Sequence, residues 1–532
     1  MRMFEKICRA MADPAFYPHP VRNIEKRETH ISVVYLTGDC VYKLKKPMNF
    51  GFLDYTSLEE RKRMCTLEVA LNQRLSRGVY EGVVPIVKAG NSFRMGGEGE
   101  IVEYTVCMKQ LPDDASLTSL LAGDKVGGEE MFRLGAYLAD FYGRSERNEA
   151  ISRYGTFEVI QFNTEENFIQ LEPFVGNLVA GSPFDFVKES SRVFLRDWSR
   201  FFEHRVEEGR ICDGHGDLRA EHVYLLDGIQ IIDCIEFNER FRYGDSAIDM
   251  AFLHMDLERL NHADLALEVL KGYTAASRDY GIYTVLDFYS CYRALVKLKV
   301  SCLTWTELEP GKRKALMEAR ASQYLQLAFS FAVRFSRPAV WVLCGLPGTG
   351  KSTYSQRLRE IYGMVLIRSD EARKDLPEYR RHTGPVPYGE GVYRKDMRGR
   401  VYSHMLARAQ DEVKNGRSVI LDATFSMRKW REEVIRLAED LDASVLFFEC
   451  VSEKNTIVER LGQRRAGEDG QSDARAMNIP GLIEEFEEIK ELGPEFYSTI
   501  NTEGDIESNV REMLARAYAM KRTQVERVIA RL

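Results

Sequence analysis

Two stretches of the sequence carry residues whose types and spacing are typical of phosphoryl transfer. "DGHGDLRAEH", at 213–222, contains His215 and Asp217, and "VLCGLPGTGKST", at 342–353, contains a lysine and two hydroxyl groups after a run of glycines. An aspartate can accept the proton of an acceptor hydroxyl, while a glycine-rich turn lets backbone amides surround phosphate groups. Because the two stretches differ in design, the sequence predicts two separate nucleotide sites.

The second stretch fits the phosphate-binding pattern GxxxxGK[ST] without a mismatch, after the apolar run "AVWVLC" and before a helical run. This order of strand, loop and helix is the context that the pattern requires, and it disfavours a chance glycine-rich turn. Lys351 is predicted to reach the β- and γ-phosphates, and the hydroxyl of Ser352 to hold Mg²⁺. The predicted nucleotide-binding residues are Gly345, Gly348, Thr349, Gly350, Lys351, Ser352 and Thr353.

A carboxylate and an arginine follow the next predicted strand, in "IRSDEARKDL". Asp370 is well placed to deprotonate an acceptor hydroxyl, and Arg373, three residues later, to hold a neighbouring anionic group. The alternative is a helix N-cap aspartate followed by a surface arginine. We predict Asp370 as a catalytic base and Arg373 as its substrate-binding partner.

Further charged residues follow along the chain. Asp422, at the end of "SVILD", is predicted to support Mg²⁺ or to orient a substrate, with a structural cap as the alternative. The segment "VERLGQRRAGEDGQSDAR" contains Arg460 and Arg464, with further arginines at 465 and 475. A mobile arginine lid would neutralise the transferring phosphate and exclude water, and a solvated basic helix is the alternative. We predict that Arg460 and Arg464 bind substrate and that Arg464 also assists catalysis.

Together, "GLPGTGKST", "RSDEAR", "ILDATF" and the arginine segment resemble the P-loop kinase group that includes zeta toxins and polynucleotide 5′-hydroxyl kinases, over about residues 338–525. The resemblance implies that Asp370 is the base and that Arg373 and the lid arginines contact phosphates. Members of this group phosphorylate sugars, nucleotide sugars or nucleic-acid ends, so the resemblance leaves the acceptor open.

The first stretch carries most of the protein-kinase pattern H-x-D-x-x-x-x-N, in which the aspartate accepts the proton of the acceptor and the asparagine binds a metal ion. His215 and Asp217 match, but His222 stands at the asparagine position. Eleven residues further, Asp233 in "IIDCIEF" stands where the metal-binding aspartate belongs. This spacing predicts Asp217 as a catalytic base, and Asp233 and His222 as metal ligands.

The preceding region supplies the lysine and glutamate that such a site needs. Lys43 lies on a predicted strand and Glu68 on the following predicted helix, which is the order expected of a phosphate-binding lysine and its paired glutamate. Lys45 shares a strand face with Lys43, because side chains alternate along a strand, and Glu59 or Glu60 is an alternative to Glu68. We predict that Lys43 and Glu68 belong to the nucleotide site.

"HGDL", "IIDCIEFN" and "GDSAIDMAFLHMDL" resemble the aminoglycoside phosphotransferase-like family over about residues 25–330. The resemblance implies a kinase fold with a smaller, helix-rich substrate lobe, and ATP bound between an N-lobe and a C-lobe with "EYTVCMKQL" as the hinge. It also implies that Asp217 is the base, that Asp233 binds Mg²⁺ and that Asp249 holds the surrounding loop.

His222 departs from the family pattern. Mg²⁺ prefers oxygen ligands, whereas imidazole suits softer metals. Three interpretations remain open. The site uses one metal ion held by Asp233, it accepts Mn²⁺ or a similar ion, or it binds nucleotide without efficient transfer.

The elements around these motifs define the expected fold class. The hairpin "HISVVYL-TGD-CVYKLKK", the helix "SLEERKRMCTLEVALNQRLS" and a second strand pair predict an N-lobe at about 25–110, followed by a helical C-lobe at about 111–335. From residue 336 strands alternate with helices, which indicates a mainly parallel sheet. We expect an α+β protein-kinase-like bilobal domain over 1–335, followed by an α/β P-loop NTPase domain over 336–532.

The composition is that of an ordinary globular protein, with 44% apolar and 29% charged residues. The net charge of −7 disfavours a nucleic-acid coat over the whole chain. The ten cysteines show no metal-ligand spacing and predict reduced thiols. No apolar run approaches the roughly 20 residues needed to span a bilayer, so we expect a cytoplasmic protein with no membrane partner.

The sequence therefore predicts a tandem kinase. Each half would bind ATP, or another NTP, with Mg²⁺ and transfer the γ-phosphate to a hydroxyl of a sugar-like, nucleotide-like or nucleic-acid acceptor, with an RNA or DNA end among the candidates. Two alternatives stay open. One is a toxin-like or RNA-end kinase whose first domain is regulatory, and the other is a nucleotide-sensing regulatory protein without an acceptor.

Overall fold

The computed structural model describes residues 2–49, 51, 53–90, 92–376, 395–463 and 479–531. Its internal contacts divide the chain into two compact units: unit 1 is Met1–Glu166 with Trp198–Ser277, and unit 2 is Asn167–Asp197 with Arg278–Leu532. Residues 167–197 and 278–335, expected in the first domain, thus belong to unit 2. The predicted boundary of the folding domains near residue 336 stays a prediction.

Unit 1 contains a six-stranded sheet in the order β1-β2-β3-β6-β4-β5, in which every pair of neighbours is antiparallel. The strands are β1 (Glu25–Glu28), β2 (Ser32–Leu36), β3 (Cys40–Lys45), β4 (Tyr80–Ala89), β5 (Ser92–Met95) and β6 (Glu100–Lys109). The predicted hairpin forms β2 and β3, and the predicted second strand pair forms β4 and β6. The short strands β1 and β5 were not predicted.

Two helices cover opposite faces of this sheet. Helix α1 (Arg2–Ala10) packs on the face that contains Tyr42 and Cys107, and α2 (Leu58–Asn72) packs on the other face, where Cys65 meets Val41. The hydroxyl of the N-cap residue Ser57 accepts a hydrogen bond from the backbone N–H of Glu60 at 3.0 Å, which fixes the start of α2. Since side chains alternate along β3, Lys43 and Lys45 lie on the α2 side.

The remainder of unit 1 is mostly helical. The helices of this region are α3 (Leu117–Ala122), α4 (Gly128–Arg144), α5 (Glu149–Ser152), α6 (Phe157–Leu171), α7 (Gly181–Asp197), α8 (Ser199–Glu207), α9 (Glu239–Arg242), α10 (Ser246–Arg259) and α11 (Ala263–Ser277). Helix α7 and the end of α6 belong to unit 2.

Two small antiparallel sheets interrupt these helices. Strand β7 (Ile211–Asp213) pairs with β10 (Tyr243–Asp245). The predicted hairpin "HVYLLDGIQIIDCI" forms β8 (Val223–Leu226) and β9 (Gly228–Ile231). Gly228 has a φ of 106° at its turn, a conformation that glycine adopts without steric cost.

Unit 2 contains a five-stranded sheet in the order β12-β13-β11-β14-β15, with all neighbours parallel. The strands are β11 (Ala339–Cys344), β12 (Val365–Arg368), β13 (Val419–Asp422), β14 (Ser444–Val451) and β15 (Tyr497–Asn501). All six residues of β11 are buried, as expected of a central strand covered on both faces. The predicted parallel α/β sheet is confirmed, with β15 as an additional strand.

The carboxyl ends of β11, β12 and β13 lie at one edge of this sheet, where α/β proteins bind ligands. The helices of unit 2 after α7 are α12 (Ile282–Glu307), α13 (Lys312–Ser336), α14 (Lys351–Tyr362), α15 (Ser369–Asp375), α16 (Lys395–Lys414), α17 (Arg428–Asp440), α18 (Lys454–Gln463), α19 (Ile479–Glu484) and α20 (Ile506–Ile529). Within the described residues of the whole chain, every helix is too short or too polar to cross a membrane.

Candidate active sites

The glycine-rich loop between β11 and α14 has a backbone that only glycine fits at two positions. Gly345 has a φ of 120°, and a Cβ there would lie 2.4 Å from the carbonyl oxygen of Cys450. Gly348 has a φ of 84°, and a Cβ there would lie 3.1 Å from Ile457 Cγ2. Ile457 and Leu461 also pack on Leu346, so α18 lies against the loop. The loop between β11 and α14, residues 345–350, is therefore already in a conformation that can surround phosphate, and we call it the phosphate cradle. Helix α18 covers one side of it.

Side chains at the start of α14 are held against the same loop. Lys351 Nζ donates to the carbonyl oxygen of Leu346 at 2.8 Å, and Thr349 Oγ1 donates to the same oxygen at 2.7 Å. Burial lowers the pKa of Lys351, and the nearby carboxylate of Asp422 partly offsets this effect. Ser352 lies beside Lys351 in the first turn of α14, where backbone N–H groups are available to phosphates.

Asp370 and Arg373 are brought together as predicted from their spacing. Arg373 Nη1 donates to Asp370 Oδ1 at 2.8 Å. Arg368 is the N-cap of α15, and Arg373 is only 9% exposed, so the alternative of an N-cap aspartate with a surface arginine does not fit the geometry. Burial raises the pKa of Asp370, Arg373 lowers it and Asp422 raises it further, with a net increase. A partly buried carboxylate with a raised pKa is suited to act as a general base.

Asp422 ends β13 and is buried. Ser355 Oγ donates to Asp422 Oδ2 at 3.0 Å, and Arg368 Nε lies 3.5 Å from the same oxygen. The carboxylate thus holds α14, and with the hydroxyl of Ser352 it supplies oxygen ligands of the kind that Mg²⁺ prefers. When bound, Mg²⁺ would neutralise phosphate charge at this position.

Arg460 on α18 lies beside the phosphate cradle. Its Nη2 donates to the carbonyl oxygen of Thr502 at 2.8 Å, and its Nη1 donates to Thr502 Oγ1 at 3.2 Å. A Cβ at Gly350 would lie 3.8 Å from Arg460 Nη1. Arg460 is therefore a positioned cation near the loop, whereas Arg464, the other predicted lid residue, lies outside the described residues.

In unit 1, Lys43 bridges a helix carboxylate and a loop carboxylate. Its Nζ lies 2.8 Å from Glu68 Oε1 and 2.6 Å from Asp233 Oδ1. Burial would raise the pKa of Glu68 and of Asp233, but Lys43 lowers both, with Lys45 also lowering that of Glu68, and the net pKa of each carboxyl is below its usual range. Asp233 has a φ of 66°, a rare conformation that clusters at functional sites. The structure thus places the predicted lysine, glutamate and metal-binding aspartate together.

Lys45 has a separate set of partners that sequence reasoning missed. Its Nζ donates to Glu68 Oε2 at 2.7 Å and also forms an ion pair with Glu236. Tyr55 Oη donates to Glu236 Oε1 at 2.7 Å. Lys45 and Glu68 are fully buried, so the two lysines share one glutamate from different sides. Lys43 reaches Asp233, and Lys45 reaches Glu236.

Asp249 on α10 holds the 213–222 loop through two backbone hydrogen bonds. Its Oδ2 accepts from the N–H of His215 at 2.7 Å, and its Oδ1 accepts from the N–H of Gly216 at 3.0 Å. A Cβ at Gly214 would lie 2.5 Å from Asp249 Oδ2, so glycine permits this close approach. Asp249 thus makes the loop contact that the family resemblance implies.

The His215 ring occupies a buried position with both nitrogens bonded. Nε2 lies 3.0 Å from the carbonyl oxygen of Ile232, and Nδ1 lies 3.2 Å from the backbone N of Asp217. The N–H of Asp217 donates to Nδ1, which leaves the ring proton on Nε2. Burial lowers the pKa of His215 to about 4. His215 is therefore neutral at pH 7 and orients Asp217.

Asp217, the predicted base, is paired with Arg219, which sequence reasoning missed. Arg219 Nε donates to Asp217 Oδ1 at 3.0 Å, and Arg219 Nη2 donates to Asp217 Oδ2 at 2.8 Å. Arg219 also forms an ion pair with Glu221. A two-pronged contact of this kind fixes the carboxylate and is stronger than a single neutral hydrogen bond. Arginine at the second position after the base was the available sequence signal.

His222 lies near both aspartates of this site. Its Nδ1 donates to the carbonyl oxygen of Asp217 at 2.8 Å, so Nε2 carries a lone pair. This lone pair accepts a hydrogen bond from Arg219 Nη2 at 3.4 Å, and an ion would have to take it over. Nε2 lies 3.7 Å from Asp233 Oδ2, a separation that two ligands about 2.1 Å from one ion can span. His222 and Asp233 therefore fit one metal ion, with a mixed nitrogen and oxygen donor set that suits a transition metal better than Mg²⁺.

The fold and the two sites define the class of protein. Unit 1 has a protein-kinase-like fold with an antiparallel sheet and a helical part, and unit 2 has a parallel α/β sheet with a phosphate-binding loop, as the motifs predict. A protein-family model described as "AAA domain" matches residues 340–489, which contain the phosphate cradle.

A relative that matches over most of both chains places this protein in a family. Over 469 residues this chain is 34% identical to "Uncharacterized protein Rv2004c" of Mycobacterium tuberculosis, and the match covers 86% of this chain and 90% of the relative. The chain belongs to the family of this mycobacterial protein.

Two solved structures are similar to parts of the chain. A choline/ethanolamine kinase family protein from Mesorhizobium loti is 13% identical, with 62% of this chain and 99% of that chain covered and a TM-score of 0.35. A sugar kinase from Janibacter sp. HTCC2649 is 15% identical, with 34% of this chain and 94% of that chain covered and a TM-score of 0.26. The fold assignment rests on the strand order and site geometry given above.

Proposed function

We propose that the protein is an ATP-dependent phosphotransferase whose P-loop unit transfers the γ-phosphate to a hydroxyl group. The acceptor class is sugar-like, nucleotide-like or a nucleic-acid end. Unit 1 binds a second nucleotide, and in the tandem form of the proposal it carries out a transfer of its own. Phosphotransferase chemistry in general is supported by the AAA domain match together with the kinase-type residue pairs of unit 1.

The observation that carries the proposal is the pair formed by the partly buried Asp370 and the buried Arg373, which follows β12, a strand of the same parallel sheet as the strand before the phosphate cradle. Water and an alcohol both give up a proton when they attack phosphorus, so the base alone does not separate an ATPase from a kinase. Arg373 beside the base favours a kinase, because its cation can hold an anionic group of an acceptor larger than water. Burial raises the pKa of Asp370, which makes it a stronger proton acceptor than an exposed aspartate.

The transfer step conserves atoms and charge. The acceptor hydroxyl gives its proton to Asp370, its oxygen forms a bond to the γ-phosphorus, and the bond from that phosphorus to the β–γ bridging oxygen breaks to release ADP. Lys351 and Arg460 are close enough to the cradle to offset the charge that develops on the phosphate oxygens. Arg373 holds Asp370 in place and offers a cation to the acceptor.

In unit 1, Lys43 contacts phosphate oxygens and Asp217 serves as base in the tandem form of the proposal. A bound ion at His222 and Asp233 would supply charge neutralisation. The nitrogen ligand supports Mn²⁺ as well as Mg²⁺ at this position.

One observation favours a second candidate function, in which unit 1 is a nucleotide-binding regulator. Both carboxylate oxygens of Asp217 accept hydrogen bonds from Arg219. An acceptor hydroxyl therefore competes with the Arg219 cation for the Asp217 carboxylate. In the regulatory form only Asp370 is required for transfer, and the acceptor is a small molecule or an RNA end.

The test is transfer of labelled γ-phosphate from ATP into a cell metabolite and RNA extract, with the wild type, Asp217→Asn and Asp370→Asn in parallel. Loss of separate labelled products in the two variants supports the tandem kinase. Loss only with Asp370→Asn supports the regulatory form. Nucleotide binding without any labelled product would contradict both forms and leave the nucleotide-sensing alternative.

A further inference from the structure

We infer that Cys40, Glu81 and Cys107 form a binding site for a thiophilic divalent cation such as Zn²⁺. The three residues come from β3, β4 and β6 of the unit 1 sheet. One donor atom from each, two thiol sulfurs and one carboxylate oxygen, lies within 4.8 Å of the other two. This site is separate from the nucleotide site and does not depend on the proposed function.

The spacing of the donors fits one tetrahedral ion. Cys107 Sγ lies 3.4 Å from Glu81 Oε2. Zinc binds thiolate at about 2.3 Å and carboxylate at about 2.0–2.2 Å, and ligands at these lengths with a tetrahedral angle between them are about 3.5 Å apart. Two thiolates with one carboxylate also favour zinc over the hard cations Mg²⁺ and Ca²⁺.

Strand register explains how residues so distant in sequence meet. Tyr42 on β3 is opposite Cys107, and Cys40 lies two residues earlier on the same strand face. Gly82 on β4 is also opposite Cys107, and the register shifts between Tyr80 and Gly82. This shift is a bulge that leaves Glu81 as an extra residue, and bulges often redirect a side chain. No short motif could reveal the site, because each ligand comes from a different strand.

The site is accessible, and a polar neighbour supports it. Glu81 is exposed and Cys40 is half-buried, so an ion can enter from solvent. Tyr42, which is opposite Cys107 and shares a strand face with Cys40, has its hydroxyl 2.9 Å from His19 Nε2. Binding of one ion displaces the protons of both thiols as two metal–sulfur bonds form, and the carboxylate adds the third bond. The fourth position is open to solvent.

The location suggests a structural role for the ion. It would connect three strands on the α1 side of the sheet, while Lys43 lies on the opposite face of β3. An ion that binds the folded sheet and not the unfolded chain stabilises the fold in proportion to its concentration relative to the dissociation constant. Zn²⁺ should therefore slow hydrogen exchange in β3, β4 and β6.

The experiment uses the full-length chain, reduced and stripped of metal with a chelator. Co²⁺ is titrated first, because thiolate-to-cobalt absorption reports sulfur ligands and is silent for a site made of His222 and Asp233. Zn²⁺ affinity is then measured by competition with a chromophoric chelator. The variants are Cys40→Ser and Glu81→Gln. Cys8→Ser, which changes another half-buried cysteine of unit 1, is the matched control.

The wild type and Cys8→Ser should bind one equivalent of Co²⁺ with thiolate absorption, and Cys40→Ser should lose that absorption. Glu81→Gln should keep the absorption and bind Zn²⁺ at least about tenfold more weakly. Because Glu81 is exposed, this variant keeps the assay meaningful even if Cys40→Ser misfolds. Absence of thiolate absorption in the wild type, its retention in Cys40→Ser, or unchanged Zn²⁺ affinity in Glu81→Gln would overturn the proposal.

Discussion

The two candidate sites each pair a predicted base with an arginine, but they do so differently. Arg373 contacts Asp370 along a turn of α15, through Nη1 and Oδ1. Arg219, two residues after Asp217, donates two hydrogen bonds to the two carboxylate oxygens of Asp217. In the first arrangement, the base is partly buried and its pKa is raised. In the second, both oxygens of the base accept hydrogen bonds from the arginine, so an acceptor hydroxyl competes with that cation for the carboxylate.

The two lysines predicted to bind phosphate also differ in their partners. Lys351 donates to a neutral carbonyl oxygen of its own loop. Lys43 is held by two carboxylates, Glu68 and Asp233. A phosphate that approaches Lys351 replaces a neutral acceptor, whereas one that approaches Lys43 competes with charge-assisted contacts, which are stronger. We therefore expect tighter nucleotide binding in the P-loop unit than in unit 1.

The largest expected effect is on transfer by the P-loop site. Asp370→Asn removes the proton acceptor but keeps the size of the side chain, so phosphate transfer should fall by roughly 10²–10⁴-fold, with nucleotide affinity nearly unchanged. Glu371→Gln is the matched control, because Glu371 is the exposed neighbour of Asp370. The measurement is label transfer from γ-labelled ATP at saturating nucleotide. Equal transfer rates for Asp370→Asn and Glu371→Gln would show that Asp370 is not the proton acceptor. The proposed difference between the bases of the two sites would then be lost.

The second prediction separates the two lysines of unit 1 by identical substitutions. Lys45→Met leaves Glu236 buried without its cation, while Glu68 keeps Lys43, and the unpaired buried carboxylate should destabilise unit 1 by about 3–5 kcal/mol. Lys43→Met leaves Lys45 to pair with Glu68, so it should mainly weaken nucleotide binding. Hydrogen exchange in β3 and α2 measures the first effect, and nucleotide titration the second.

Equal loss of protection in the two lysine variants would contradict this division of roles. It would mean that Lys43 is as much a structural cation as Lys45. Arg63→Met provides a control for removal of a cation from α2, since Arg63 is largely exposed and pairs with Glu60. Exposed pairs of this kind contribute at most about 1 kcal/mol.

Much of the fold followed from local sequence. The apolar run of β11, the glycines after it and the helix that follows were readable because their pattern is contained in about 20 consecutive residues. Strands β1 and β15 were missed for a physical reason. All four residues of β1 are exposed and β15 is short and polar, so neither has the apolar alternation by which a strand is recognised.

In the candidate sites too, contacts between residues far apart in the sequence were predicted only where a family motif records them. Lys43, Glu68 and Asp233 were predicted because family motifs record a contact that spans 190 residues between Lys43 and Asp233. The Lys45–Glu236 pair spans 191 residues, yet no motif marks it. Such pairs depend on strand register and loop path, which single-sequence patterns do not contain. Arg219 is only two residues from Asp217 in the sequence. Its contact with Asp217 was still not predicted, because the fold of the loop sets the direction of its side chain.

The third prediction concerns the histidine that replaces asparagine in unit 1. His222→Asn supplies an oxygen ligand in place of Nε2, so it should shift metal preference at this site from Mn²⁺ toward Mg²⁺ by about tenfold. The readout is nucleotide affinity with each ion in a Lys351→Ala background, where the P-loop site is weakened. His204→Asn is the control, since His204 is exposed in the same unit. An unchanged ratio would exclude His222 as a metal ligand.

The smallest expected effect is a displacement of the pH profile of the P-loop site. Asp370 must be ionised to accept a proton, and its pKa is raised above that of an ordinary aspartate by burial, despite Arg373. Transfer should therefore be constant at high pH and decline as pH falls through this raised pKa. Arg373→Gln removes the nearest cation, so the declining limb should move to higher pH by roughly one unit.

The measurement of this shift is the transfer rate of the wild type and Arg373→Gln from acidic to neutral pH, at saturating nucleotide. Arg359→Gln serves as the control, because Arg359 lies on α14 and is exposed. The declining limb of the pH profile of this variant should coincide with that of the wild type. A limb that moves to lower pH in Arg373→Gln would have the wrong sign for a base paired with an arginine. It would require a different group to receive the proton, and the contrast between Asp370 and Asp217 would no longer explain which site transfers phosphate.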